Sequence, residues 1–237
     1  MTAPRPLRSR AAVLVAVAVT GLAVVATACG GDGGGADAAP RAGTARKVTV
    51  AGDSISVGLG TVLRPLVPDG TTVKVIGEVG TGLARPDRFD WPRRLDALAR
   101  DFPPQVLVFS VGSNDAQDLT DADGRVVARF ADEEAWDAEY SRRLAEVFDA
   151  FERAGTAVVW VGHVRTAEAR VGTTNRRVQR LAAATAATRP WVRVADLGEL
   201  LGTGDRTATS CLRPDGLHLT TDCLDRADRA LLPLLLR

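Results

Sequence analysis

Strand and helix signals alternate from Lys47 to the end of the chain. This predicts an α/β domain, a three-layer α/β/α sandwich around a parallel sheet of about five strands. Three observations carry the prediction. Short runs rich in β-branched and other apolar residues recur between residues 47 and 195, as strands buried on both faces require. Longer stretches between them place apolar residues at helical spacing. Several of the runs stop abruptly at small polar residues, most clearly Gly52-Asp53-Ser54 and Gly112-Ser113-Asn114-Asp115, where a chain turns at the carboxyl edge of a sheet.

Taken in order, the strands are expected at 47–51, 72–76, 106–111, 157–161 and 191–195. The main helices are expected at 55–66, 91–101, 133–154 and 174–188. The third helix is the clearest, because Trp136, Tyr140, Leu144, Val147, Phe148 and Phe151 fall three or four apart on one face. The segment 118–130 interrupts the alternation with Asp-Ala-Asp-Gly and reads as a surface turn or small hairpin. A further helix is expected from near Thr220, and no internal repeat occurs.

Ahead of the domain, residues 1–28 read as a signal peptide. Arg5, Arg8 and Arg10 precede an apolar stretch over 11–28, with no twin arginine. The stretch ends in Ala26-Thr27-Ala28-Cys29-Gly30, which resembles the lipobox of bacterial lipoproteins, so Cys29 is the expected lipidation site. A single membrane-spanning anchor is the alternative, since eighteen residues could just cross a bilayer. Residues 29–46 form a Gly-rich, then Ala/Pro-rich linker, and 47–237 the folded domain. The expected location is extracytoplasmic, held to a bacterial cell membrane by lipid.

Cysteine count agrees with export. Three cysteines leave an odd one unless Cys29 carries lipid, and Cys211 and Cys223 then remain to pair in an oxidising compartment. The composition, 25% charged and 46% hydrophobic, is that of a globular protein. The formal net charge of +1 becomes −2 once the three leader arginines are removed, which gives no electrostatic case for nucleic acid as a partner. Two histidines and no CxxC argue against a metal site, and no cofactor is expected.

The chemistry converges on Ser54. A serine at a strand-to-helix turn places its hydroxyl beside the free N–H groups of a helix N-terminus, where an anion is stabilised, although Gly-Asp-Ser alone is equally an ordinary helix cap. Ser56 and Ser113 compete, but neither directly follows a strand-ending Gly-Asp, and no G-x-S-x-G elbow is present. A serine nucleophile needs a base, and His163 and His218 are the only histidines. His218 lies three residues after Asp215 in a turn marked by Pro214 and Gly216. That spacing lets Asp215 hold the imidazole in the tautomer that accepts from Ser54.

With Gly80-Thr81-Gly82, these blocks give four in order: Gly52-Asp53-Ser54, Gly80-Thr81-Gly82, Gly112-Ser113-Asn114-Asp115 and Asp215-Gly216-Leu217-His218. From about Lys47 to its end the chain resembles the SGNH hydrolases, also called the GDSL esterase/lipase family. The resemblance implies the flavodoxin-like form of the fold. It also implies a catalytic set of Ser54, Asp215 and His218, and an oxyanion hole built from the Ser54 N–H, a glycine N–H and the Asn114 side chain. Gly80 is the expected glycine, with Gly82 the alternative, because the second block departs from the family's usual form.

Two further features are candidates for substrate contact. The run over 83–92 is dense in charge and aromatics and reads as a loop over the cleft. There Trp91 would stack on a sugar and Arg85 or Arg88 would bind an acidic group, unless Phe89 and Trp91 only pack the loop onto the core. His163 follows a predicted strand, so it reads as a substrate contact, a support behind the site, or a plain capping or buried histidine. The expected activity is that of an exported serine esterase removing a short acyl group, such as acetyl, from an acyl-ester substrate such as an envelope glycan. The alternatives are an acyltransferase, a lipase or thioesterase with the same residues, or a non-catalytic envelope-binding lipoprotein.

Overall fold

A computed structural model of the protein describes residues 46–236. Residues 1–45, where a signal peptide, the lipidation site Cys29 and most of a linker are expected, lie outside the described residues. Five strands form one parallel sheet: β1 (Lys47–Gly52), β2 (Thr72–Gly77), β3 (Val106–Ser110), β6 (Ala157–Gly162) and β7 (Val192–Asp196). Their spatial order is β2-β1-β3-β6-β7. Two short strands, β4 (Leu119–Thr120) and β5 (Val126–Ala128), make a separate antiparallel hairpin within the segment expected to be a turn or hairpin. The helices are α1 (Ser54–Leu63), α2 (Trp91–Asp101), α3 (Glu133–Glu152), α4 (Ala169–Ala186), α5 (Leu197–Leu200) and α6 (Thr221–Leu235).

The sheet separates two cores, and the period-2 alternation of its strands decides which residue enters which. Val48, Val50, Val106, Val108, Val159 and Val161 face α1 and α6, where they meet Leu59, Leu63, Leu224 and Leu231. Leu107, Phe109, Val158 and Trp160 face the other way, onto Trp91, Leu95, Trp136, Tyr140 and Phe148 of α2 and α3. The chain moves outward from β1 to β2 in one direction and to β3 in the other. The carboxyl ends of β1 and β3 therefore flank the crevice where the winding reverses, the position at which such sheets bind ligands.

α1, α3 and α4 differ from their expected spans, α3 by ending at Glu152 rather than 154. α1 stops at Leu63 rather than 66, just before Arg64-Pro65, since Pro65 has no N–H to continue the helical hydrogen bonds. α4 starts at Ala169, five residues early, because the Glu168 carboxylate accepts from the N–H groups of Arg170 and Val171 and so caps a first turn that lacks apolar signal. The four-residue α5 was not expected.

One buried group in α6 works against stability. Asp228 is 1% exposed, and neither carboxylate oxygen has a hydrogen-bond partner among the described residues. Burial, with the charge of Asp225 second, pushes its pKa up to about 8. The folded state thus holds a proton that the unfolded state releases above about pH 4. This contribution to stability declines as pH rises from there to about 8. Asp228→Leu, of the same branched shape, is expected to stabilise the fold by about 1–3 kcal/mol. Thermal melts at pH 5 and pH 8 check it, with the larger rise in Tm expected at pH 8.

Candidate active site

Ser54 is the first residue of α1, immediately beyond β1. The turn that carries it depends on Gly52. Its φ is +135°, and a Cβ there would lie 1.9 Å from the carbonyl oxygen of Ser110 on β3, so no side chain fits. Asp53 caps the helix, its Oδ1 accepting from the Ile55 N–H at 2.9 Å. Burial pushes the Asp53 pKa up to about 8, with the nearby Asp115 charge adding to the rise.

His218 reaches Ser54 from the opposite end of the sequence. Its Nε2 lies 2.8 Å from the Ser54 hydroxyl, and its Nδ1 lies 2.9 Å from Asp215 Oδ2. Asp215 Oδ1 accepts from the backbone N–H groups of Leu217 and His218, both at 2.9 Å. These two bonds, with the His218 ring third, hold the Asp215 pKa down at about 2. Asp215 is therefore a carboxylate at any working pH and can only accept. It follows that His218 Nδ1 carries the hydrogen and Nε2 offers its lone pair to the Ser54 O–H. Gly216 between them has φ +68°, and a Cβ there would press on Ala167.

The loop holding Asp215 and His218 is closed at its base. Cys211 and Cys223 form a disulfide across a separation of 12 residues, Leu212 bridges Leu219, and the Arg213 N–H donates to the His218 carbonyl at 2.7 Å. In the chain-entropy account a loop of this size stabilises by about 3 kcal/mol. Cys211→Ser with Cys223→Ser is expected to lower Tm by about 6–12 °C, at about 2–4 °C per kcal/mol for a domain of this length. It is also expected to lower kcat by up to about a hundredfold through misplacement of His218, with KM changing less. Thermal melts and steady-state kinetics on an ester at 20 °C separate the two effects. Full activity of the double variant at that temperature would leave the bridge a role in stability alone.

Asn114 stands on the loop after β3. Its amide donates to the Thr81 carbonyl at 2.9 Å and, more weakly, to Asp53 Oδ2 at 3.3 Å, so it joins the β1 and β3 ends to the loop after β2. The two glycines of that loop differ. A Cβ on Gly82 would fall 2.2 Å from the Asp115 carboxylate, so Gly82 is a packing position. Gly80 is exposed, has open space around it, and its N–H makes no hydrogen bond among the described residues. The Ser54 N–H, in the first turn of α1, is likewise unpaired there.

Three residues expected at the substrate lie elsewhere. Trp91 is fully buried, its ring against Phe109 and its indole N–H donating to the Thr81 hydroxyl at 2.9 Å, so it cannot stack on a sugar. Arg85 is spent on an ion pair with Asp87, which also takes the Thr120 hydroxyl and is held well below the usual carboxylate range. The 83–92 run borders a groove of about 970 Å3 between α2 and α3, and Ser54 is not among the residues lining that groove.

His163 is 3% exposed and is not a substrate contact. Ser110 donates its hydroxyl hydrogen to the Val161 carbonyl at 2.8 Å, so its oxygen accepts from His163 Nε2–H at 2.9 Å. His163 Nδ1 then accepts from the Ser113 hydroxyl at 2.7 Å, and Ser113 in turn accepts from the Asn175 amide at 3.2 Å. Burial, then the charge of His218, lowers the His163 pKa to about 3, which keeps it neutral. This network pins the loop that presents Asn114. Of its members, Ser110 and Asn175 were not singled out from the sequence, and Ser113 was weighed only as a competing nucleophile. Asp115, quoted only as the end of the third block, receives the Ala84 N–H and the Tyr140 hydroxyl, both at 2.8 Å.

Among the described residues no group of three His, Cys, Asp or Glu side chains could hold a metal ion. What remains is a hydroxyl, an imidazole and a carboxylate in a hydrogen-bonded line, beside unpaired N–H groups at the switch point of the sheet. That arrangement is chemically equipped to activate the hydroxyl and to receive an oxyanion.

Comparison with solved structures places the fold. The chain resembles a member of the lipolytic protein G-D-S-L family from Veillonella parvula DSM 2008 at 14% identity and TM-score 0.59, over 81% of this chain and 98% of that one. It resembles a catalytic mutant of an acetylxylan esterase from Geobacillus stearothermophilus at 17% identity and TM-score 0.57, over 81% and 95% respectively. It resembles TesA at 19% identity and TM-score 0.55, over 80% and 98%. No curated protein sequence matches. Residues 47–222 match the family described as Protein of unknown function (DUF459), and the chain belongs to that family.

Proposed function

We propose that the protein is a serine esterase that cleaves a short-chain acyl ester through an acyl-enzyme on Ser54. The observation that carries this reading is the continuous line from Ser54 Oγ to His218 Nε2 at 2.8 Å and from His218 Nδ1 to Asp215 at 2.9 Å. In the proposed reaction His218 Nε2 takes the Ser54 proton as Oγ bonds to the ester carbonyl carbon. The carbonyl oxygen becomes an oxyanion held by the N–H groups of Ser54 and Gly80 and by Asn114, whose long bond to Asp53 is the one exchanged. Collapse of the intermediate breaks the bond to the alcohol, which leaves with the proton from His218. Water then repeats the steps on the acyl-enzyme and releases the acid.

The substrate class is an acylated carbohydrate of the cell envelope. The likeness to an acetylxylan esterase and the lipobox-like Ala26–Gly30 support it. The Cys211–Cys223 bridge suits the oxidising exterior, where a lipid on Cys29 would hold the domain at the membrane. Treatment of the full chain with a fluorophosphonate tests the reading. One phosphonyl adduct on the peptide containing Ser54, with fluoride released, is expected. No adduct there would sink it. Mass spectra of the same material made in a bacterium read the mature N-terminus, and an unmodified Cys29 would remove the anchor from the proposal.

A further inference from the structure

A second cavity of about 250 Å3 opens directly beside Ser54 and His218. Ile55 and Gly58 of α1, Leu224 of α6 and Leu219 form its walls, and Val79 stands among the lining residues. Ile55, Leu219 and Leu224 are core residues, at 5%, 2% and 4% exposed, so the walls are fixed by packing. Val79 is 70% exposed, a large apolar side chain left in water beside an apolar cavity. The one cation in the lining, Arg213, donates its Nε–H to the Leu219 carbonyl at 2.9 Å. Gly58 keeps the space open, because a Cβ there would come within 3.1 Å of Leu224 Cδ1.

We propose that this cavity binds an unbranched alkyl chain of about four to six carbons carried by the ester that Ser54 attacks. The inference rests on the reading of Ser54 as the nucleophile and adds the dimension of the substrate. At about 30 Å3 per water-sized unit the cavity holds roughly eight such units, more than an acetyl group fills and less than a long fatty chain needs. Its walls offer few polar partners, so the water that a short substrate leaves there is weakly held and its displacement favours a longer chain. Each methylene buried adds about fourfold to binding. A chain seated between α1 and α6 brings its ester carbonyl to Ser54, because the cavity opens on Ser54 and His218 together. The chain belongs either to the acyl group or to the alcohol, since both flank the carbonyl carbon.

The test uses the full chain and two substrate series. One varies the acyl group of p-nitrophenyl esters from two to ten carbons, and the other varies the alcohol of acetate esters from one to ten. In one series kcat/KM is expected to rise by at least about tenfold from the shortest member to six carbons and to rise no further beyond eight. That series identifies which side of the ester the cavity holds. Gly58→Leu fills the cavity, and Val79→Asp charges it at an exposed position where folding is not at stake. Both are expected to lower the ratio of six-carbon to shortest-member kcat/KM about fivefold or more. Shortest-chain preference in both series, or an unchanged ratio in Val79→Asp, would overturn the cavity assignment while leaving the esterase reading intact. No hydrolysis of any ester, together with no fluorophosphonate adduct on Ser54, would overturn the reading beneath it.

Discussion

Ser54→Ala is expected to lower kcat/KM for ester hydrolysis by on the order of 100,000-fold while moving Tm by about 1 °C or less. The two numbers differ because the hydroxyl has one side-chain partner, His218, and no packing role that a methyl group fails to fill. Alanine is also at ease in the first turn of a helix that Asp53 caps. His218→Ala is expected to lose a comparable factor, and the double variant little more, since the residues act as one unit and their losses do not add. Steady-state kinetics on a p-nitrophenyl ester, with circular-dichroism melts of each variant, give both readings. Turnover of Ser54→Ala within tenfold of wild type would move the nucleophile elsewhere.

The parts of this site that were legible in the sequence are those set by local chemistry. Gly52 ends a strand and Asp53 caps the helix that Ser54 opens, and the Asp215 turn is written in residues 214–218. The five sheet strands were legible to within one residue at each end: β3 and β6, buried on both faces, read as unbroken apolar runs, while the edge strands β2 and β7 alternate apolar residues with Lys74 and Arg193. α2 was located to the residue, since Asp90 as cap and Pro92 near the start mark where it begins. The illegible parts depend on partners far apart in the chain. His163 meets Ser110 and Ser113 across 53 and 50 residues, and no spacing rule signals such a triplet. Trp91 misleads for a different reason. It sits in a charged run that looks exposed, yet as the first residue of α2 it turns into the core and spends its N–H on Thr81. The apolar cavity beside Ser54 escapes notice likewise, because Gly58, Val79 and Leu224 meet only when α1, the loop after β2 and α6 are assembled.

Asn114→Ala is expected to lower kcat by about 100- to 1,000-fold with KM changed by less than about threefold, the loss typical of one oxyanion donor. The split follows from where the amide acts. A donor aimed at charge that exists only in the transition state contributes little to substrate binding, so its removal falls on kcat. Asn114 also ties the Thr81 carbonyl to the Asp53 carboxyl, and a purely structural role would show instead as a lower Tm and a raised KM. Asn114→Asp distinguishes the two. It keeps the shape but replaces the N–H donors with a carboxyl beside Asp53, whose pKa burial already pushes up to about 8. A negative charge facing the oxyanion is expected to make Asn114→Asp at least as slow as Asn114→Ala near pH 8, and slower there than at pH 5, relative to wild type at each pH. Comparing kcat and KM for the three proteins at both pH values checks this. A kcat within tenfold of wild type for Asn114→Ala, with Tm preserved, would leave the Ser54 and Gly80 N–H groups as the oxyanion donors without it.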